Sequence, residues 1–152
     1  MEYNIAVIGL GYVGLPLAYE FSKKFKVHGY DSSLSRIKEL KSGIDRTNEV
    51  KLKFNKIKFT NNHKDLKNCN IFIITVPTPV YKSNLPDLRN IKEACIKVSN
   101  IISKGSIIIF ESTVYPGCTE EFCKNIIEKK SKLKLNKDFF LGYSPERINP
   151  GD

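Results

Sequence analysis

The sequence has no run of about 18 apolar residues anywhere in its 152 positions, which excludes a membrane-spanning helix. Its first residues, Met1-Glu2-Tyr3-Asn4, carry neither the basic segment nor the apolar stretch of a secretory signal, so the expected location is cytoplasmic, with no membrane partner. Glycine and proline, 9 and 7 residues, are too few for a low-complexity chain, and 41% hydrophobic residues is too apolar for a disordered tail. Neither an internal repeat nor a linker is visible. The length predicts one domain that buries roughly 70% of the surface its unfolded chain exposes.

None of the four cysteines, Cys69, Cys95, Cys118 and Cys123, forms a C-x2-C pair, and the two histidines, His28 and His63, lie far in sequence from Cys118 and Cys123. That pattern gives no zinc site and no disulfide framework; four free thiols in a reducing compartment, with no metal, are expected. Arginine is scarce as well. Lys+Arg number 25 against 16 Asp+Glu, a net charge of +9, yet only Arg36, Arg46, Arg89 and Arg147 are arginine, and the lysines are spread along the whole chain. Readers of phosphates and base edges lean on arginine forks, so no nucleic acid is expected. The charge reads as a solvated lysine-rich surface, with an anionic small-molecule ligand as the second possibility.

What is present is a series of apolar runs. Tyr3–Ile8, Asn70–Val76, Ser106–Phe110 and Asp138–Gly142 are near-continuous blocks of Ile, Val and Phe, which suits parallel strands covered on both faces. Weaker strands fit at Lys26–Asp31 and Lys56–Thr60. Helical stripes lie between them: Val13, Leu17, Ala18 and Phe21; then Leu88, Ile91, Cys95, Val98 and Ile102 after Asp87 as N-cap; then Phe122, Ile126 and Ile127, fading into the polar run 128–134. Strands alternating with helices predict an α/β fold, a Rossmann-type doubly wound parallel sheet of about six strands with helices on both faces, in the order 3-2-1-4-5-6.

Gly9-Leu10-Gly11-Tyr12-Val13-Gly14 follows the first strand and opens the first helix. In a dinucleotide site Gly9 permits the tight turn, Gly11 lets a pyrophosphate approach the backbone, and Gly14 lets the helix pack close to the sheet. The helix N-terminus offers N–H groups and partial positive charge to the phosphates. Asp31 closes the second strand 22 residues after Gly9. A carboxylate there accepts hydrogen bonds from the adenosine ribose and repels a 2′-phosphate, which favours NAD over NADP; as an alternative or in addition it caps the helix that follows, with Ser32 and Ser33 beside it. Arg36 either lies over the adenine ring or is a solvated helix residue. Three further segments, 75–79, 111–117 and 143–152, end strands at the edge where open α/β sheets bind ligands.

The stretches GLGYVGLPLA (9–18), GIDRTNEV (43–50), TVPTP (75–79), ESTVYPGCTEE (111–121) and GYSPERINPGD (142–152) resemble the UDP-glucose/GDP-mannose dehydrogenase family, most closely its capsule and O-antigen branch that oxidises UDP-N-acetylhexosamines. The resemblance implies that residues 1–152 are the N-terminal NAD-binding domain of a protein about three times as long, with the central helix and the C-terminal UDP-sugar domain absent. It further implies a two-step oxidation of a nucleotide-sugar C6 hydroxyl to a carboxylate with two NAD⁺, through a cysteine thiohemiacetal and thioester, in a homodimer. By motif, Gly9, Gly11, Tyr12, Val13, Gly14, Asp31 and Arg36 would hold the adenosine diphosphate half of NAD. Thr78 and Thr113 would sit along the cofactor toward the reacting centre, Thr113 holding a water or the substrate hydroxyl. Glu146 matches a carboxylate that assists thioester hydrolysis as general base, unless it is a surface carboxylate paired with a lysine.

Two departures stand out. Pro150 replaces the second glutamate of many UDP-glucose dehydrogenases, which agrees with UDP-N-acetylglucosamine or UDP-N-acetylgalactosamine as substrate. The motif that bears the family's nucleophilic cysteine is absent, and Cys118, after Pro116-Gly117, is only a tempting substitute. Among rival readings, a stand-alone NAD-binding sensor or interaction module does not need 111–117 and 142–152. A β-hydroxyacid dehydrogenase shares the glycine loop but not those segments.

Overall fold

The computed structural model describes residues 2–50, 56–81, 83 and 85–145. Its strands are β1 (Asn4–Ile8), β2 (Lys26–Tyr30), β3 (Lys58–Thr60), β4 (Ile71–Ile74), β5 (Ser106–Phe110) and β6 (Phe139–Tyr143). All neighbours run parallel, in the order β3-β2-β1-β4-β5-β6, so the expected doubly wound sheet is observed. Between the strands lie α1 (Gly14–Ser22), α2 (Leu34–Lys41), a 3₁₀ turn (His63–Leu66), α3 (Arg89–Ser99), a π-helical turn (Thr119–Cys123) and α4 (Lys124–Ser131).

The continuous apolar strands are explained by what covers them. In β1, Ile5 and Val7 face a cluster with Leu15 and Ala18 of α1 and Ile37 and Leu40 of α2. Ala6 and Ile8 face the opposite cluster, with Ile91, Cys95 and Val98 of α3 and Ile127 of α4. β4 divides in the same way, Ile73 to the first cluster and Phe72 and Ile74 to the second. A strand covered on both faces has no polar side, which is why alternation is missing from its sequence. The pattern loosens at the edge: Phe140 and Tyr143 of β6 are exposed.

Three local differences from the sequence reading have physical causes. The α1 stripe omitted Leu15, which is fully buried, because the helix presents Gly14, Leu15, Ala18 and Ser22 inward. Helix α2 has no strong stripe, but Ser33 caps it by accepting a hydrogen bond from the Arg36 N–H. Asp87 precedes the boundary residue Leu88, and its carboxylate accepts the Arg89 N–H at 3.0 Å.

The approach of α1 to the sheet is set by Gly14, because a Cβ placed there would run into the Gly9 carbonyl oxygen and the Thr75 hydroxyl. Gly14→Ala should therefore cost about 1–3 kcal/mol of stability as the helix is forced away. At roughly 2–4 °C per kcal/mol for a domain of this size, thermal melting reads that loss directly. An unchanged melting temperature would show that α1 can back away freely.

Candidate cofactor-binding site

The strand order reverses between β2-β1 and β4-β5, and a cleft of about 570 Å³ opens there at the carboxyl ends of β1 and β4. The turn from β1 into α1 forms its floor. Gly9 sits at φ +100°, a backbone region that strongly favours glycine, and a side chain there would press on the Thr75 carbonyl. No side chain caps α1, so its N-terminus is open to the cleft, which Gly11, Tyr12 and Val13 line. A Cβ on Gly11 would meet nothing within 4 Å. Gly9 and Gly14 are thus constrained by the protein itself, whereas the space beside Gly11 is free for a ligand group to approach the backbone. This is the shape a pyrophosphate requires.

Asp31 stands at the β2 side of the cleft. One carboxylate oxygen accepts the Leu10 N–H at 2.9 Å and the other accepts the Ser33 N–H at 2.9 Å. It therefore ties the glycine turn to the start of α2 while Ser33 is the helix cap proper. Each oxygen keeps a second lone pair, so acceptance of ribose hydroxyls is compatible with both bonds. Arg36 is not the solvated residue that was one of its two readings: it is buried, its Nε donates to the Leu10 carbonyl at 2.9 Å, and one terminal nitrogen donates to Asp45 at 2.8 Å. It supports the glycine turn from behind.

The loops after β4 and β5 form the opposite wall. Thr78, half-buried, and Thr113, exposed, both line the cleft and are joined, the Thr78 hydroxyl donating to the Thr113 carbonyl at 2.5 Å. Two further hydroxyls of these segments do as much. Thr75 donates to the Gly9 carbonyl at 2.7 Å, and Ser112 donates to the Val76 carbonyl at 2.7 Å. Asn90 of α3 donates to the Pro77 carbonyl at 2.9 Å. Further along α3, Glu93 and Lys97 line the Asp31 end; Lys97 lies 3.3 Å from Glu93 and 5.7 Å from the centre of the Tyr30 ring. These positions fall on the polar side of an amphipathic helix, which carries no signature in one sequence. Glu146 and Pro150 lie outside the described residues.

Cys118 is fully buried in the core against α3 and α4, away from the residues lining the cleft. Burial and the neighbouring Cys123 push its thiol up to about 11, and burial alone pushes Cys69 to about 11. A buried thiol that stays protonated is not a nucleophile. All four cysteines are free, and no group of His, Cys, Asp or Glu among the described residues could hold a metal ion. No helix of the described residues is long and apolar enough to cross a membrane.

The open space at Gly11 generates a test. Gly11→Val should leave melting nearly unchanged and abolish dinucleotide binding, because Gly11 lines the cleft and a Cβ there meets no protein atom within 4 Å. Calorimetric titration beside a melting curve checks both halves, and retained affinity would mean the turn does not contact the ligand.

The sequence and fold have counterparts among known proteins. Residues 3–152 match the model of the UDP-glucose/GDP-mannose dehydrogenase family, NAD binding domain. The chain is 56% identical to Protein CapL of Staphylococcus aureus, over 100% of this chain and 37% of that protein. It is 54% identical to a UDP-N-acetyl-D-glucosamine 6-dehydrogenase of Pseudomonas aeruginosa, over 99% of this chain and 37% of that protein. The solved UDP-D-ManNAc dehydrogenase from Pyrococcus horikoshii superposes with a TM-score of 0.88 at 38% identity, covering 97% of this chain and 37% of that one. The chain thus spans little more than a third of the length of these relatives. With a glycine turn at the switch point, an acid at the end of β2 and a family match over nearly its whole length, the chain belongs to the UDP-glucose/GDP-mannose dehydrogenase family, as its NAD-binding domain.

Proposed function

We propose that this domain is the cofactor-binding part of an NAD-dependent UDP-N-acetylhexosamine 6-dehydrogenase. The substrate is UDP-N-acetylglucosamine or UDP-N-acetylgalactosamine, oxidised at C6 to a uronic acid in the cytoplasm by a homodimeric enzyme, for capsule or O-antigen polysaccharide. The observation that carries the reading is the construction of the cleft wall. Thr75, Thr78 and Ser112 link the glycine turn and the loops after β4 and β5 by hydroxyl-to-carbonyl bonds. A domain that only held a cofactor would have no need of two such loops braced against each other beside the site. The relatives named for oxidation of UDP-N-acetyl-D-glucosamine support the substrate class.

In this reading Gly9, Gly11, Tyr12, Val13 and Gly14 hold the pyrophosphate, and Asp31 takes the adenosine ribose. NAD⁺, when bound, supplies the acceptor for hydride. Thr78 and Thr113 present the loop edge toward the reacting sugar, with the Thr113 hydroxyl holding a water or the substrate hydroxyl. The Thr78 hydroxyl is spent on the Thr113 carbonyl and so acts by fixing that loop. Glu146 is the general base that activates water for release of the uronic acid, a role that contributes about 10²–10⁴-fold. The nucleophile comes from the part of the longer enzyme outside these residues, since Cys118 is buried and protonated.

The experiment compares the longer enzyme with residues 1–152 alone, each given NAD⁺ and UDP-N-acetylglucosamine, UDP-N-acetylgalactosamine or UDP-glucose. The longer enzyme should yield two NADH per N-acetylhexosamine consumed, whereas 1–152 should yield none, for want of a nucleophile and of positioning that can be worth about 7–11 kcal/mol of barrier. The Glu146→Gln variant of the longer enzyme should turn over slowly and accumulate a covalent enzyme–sugar species visible by intact mass. Sustained NADH from 1–152, lost in Cys118→Ser, would overturn the assignment.

A further inference from the structure

The segment 43–50 folds around one carboxylate. Asp45 accepts five hydrogen bonds: from the Thr47 N–H at 3.0 Å, the Thr47 hydroxyl at 2.7 Å, the Glu49 N–H at 3.0 Å, the Val50 N–H at 3.1 Å and Arg36 at 2.8 Å. Its side chain is 3% exposed and that of Arg36 is 6% exposed, so the ion pair is screened from water. The bonds hold the Asp45 carboxyl at about 2 against the opposing effect of burial, and it stays ionised at neutral pH. The second terminal nitrogen of Arg36 is buried without a hydrogen bond, with Glu39 only at 3.7 Å. Asp45 therefore supplies the closest compensation of the Arg36 charge.

Arg36 passes this constraint to the cleft. Its Nε donates to the Leu10 carbonyl, while Asp31 accepts the Leu10 N–H. Both backbone polar groups of Leu10, between the first two glycines of the turn, are gripped by side chains from beyond β2. A loop can present its N–H groups to an anion at full strength only when it is held in the binding geometry beforehand. We propose that Asp45 is a positioning residue for the cofactor: by holding Arg36 on the Leu10 carbonyl, it fixes the glycine turn in the conformation that receives the pyrophosphate. The proposal rests on the cleft being the NAD site. It gives 43–50 a task in cofactor binding although the segment does not touch the cleft.

The test titrates NAD⁺ and ADP into the wild-type chain and into Asp45→Asn, Asp45→Ala, Arg36→Met and the double Asp45→Ala/Arg36→Met variant, well below the melting of the least stable protein. Ile127→Val, buried on the far side of the sheet, serves as a destabilised control. Loss of a coupled contact predicts that Asp45→Asn weakens both ligands by about 5- to 20-fold, while Ile127→Val lowers melting and leaves affinity unchanged. The double variant should bind no more weakly than Arg36→Met alone, because Asp45 acts through Arg36; it also removes the uncompensated charge that could unfold Asp45→Ala. Wild-type affinity in Asp45→Asn would overturn the proposal and leave Asp45 as a fold residue only. So would a loss confined to Arg36→Met, which would make Arg36 a direct ligand contact. A wild-type chain that bound no NAD⁺ would sink the site reading itself, and the proposal with it.

Discussion

The site depends on how closely one helix can come to the ends of two strands. Helix α1 begins over the gap between β1 and β4, where the Gly14 backbone lies against the Gly9 carbonyl and the Thr75 hydroxyl. Any side chain at Gly14 would lift the helix, and with it the N–H groups and the partial charge that favour an anion. Gly9 must turn the chain through a left-handed conformation to begin that helix, and Thr75 locks the turn by donating to its carbonyl. One steric constraint thus fixes both the packing of the two layers and the position of the α1 N-terminus at the cleft.

Around that contact, polar groups are used as struts. Asp31 takes the Leu10 N–H and Arg36 the Leu10 carbonyl, Ser112 takes the carbonyl of Val76, and Thr78 takes that of Thr113. Each such bond contributes only about 0.5–1.5 kcal/mol net to folding, more where a charge takes part. Their larger consequence is that the loops from β1, β4 and β5 are tied to one another. Loops that must receive a ligand in one geometry gain affinity when their ordering is completed in folding and not at binding. The surface excess of lysine does not enter this construction.

The sheet was legible in the sequence because buried parallel strands write themselves as apolar blocks: Asn4–Ile8, Ile71–Ile74 and Ser106–Phe110 lie within the expected runs. The glycine turn was legible because Gly9 and Gly14 are sterically required, and steric requirements leave residue types behind. Arg36 was not. A sequence shows that an arginine stands five residues after Asp31, but whether it reaches water, a ring or a carbonyl depends on Asp45, which only the fold brings beside it. The bonds made by Thr75, Ser112 and Asn90 were not legible for a similar reason, since bonds to distant carbonyls have no local pattern. Helix α2 was marked by its cap more than by its stripe, having only Ile37 and Leu40 as apolar anchors.

In the proposed site the cleft at the switch point holds NAD with Asp31 facing the adenosine ribose. The most direct test of this assignment is calorimetric titration of the 152-residue chain with NAD⁺ and with NADP⁺ under one condition. A hydrogen bond to a charged group is worth about 1.5–3 kcal/mol, so NAD⁺ should bind roughly 10- to 100-fold more tightly than the 2′-phosphorylated cofactor. Equal affinity for the two, or binding of neither, would contradict it.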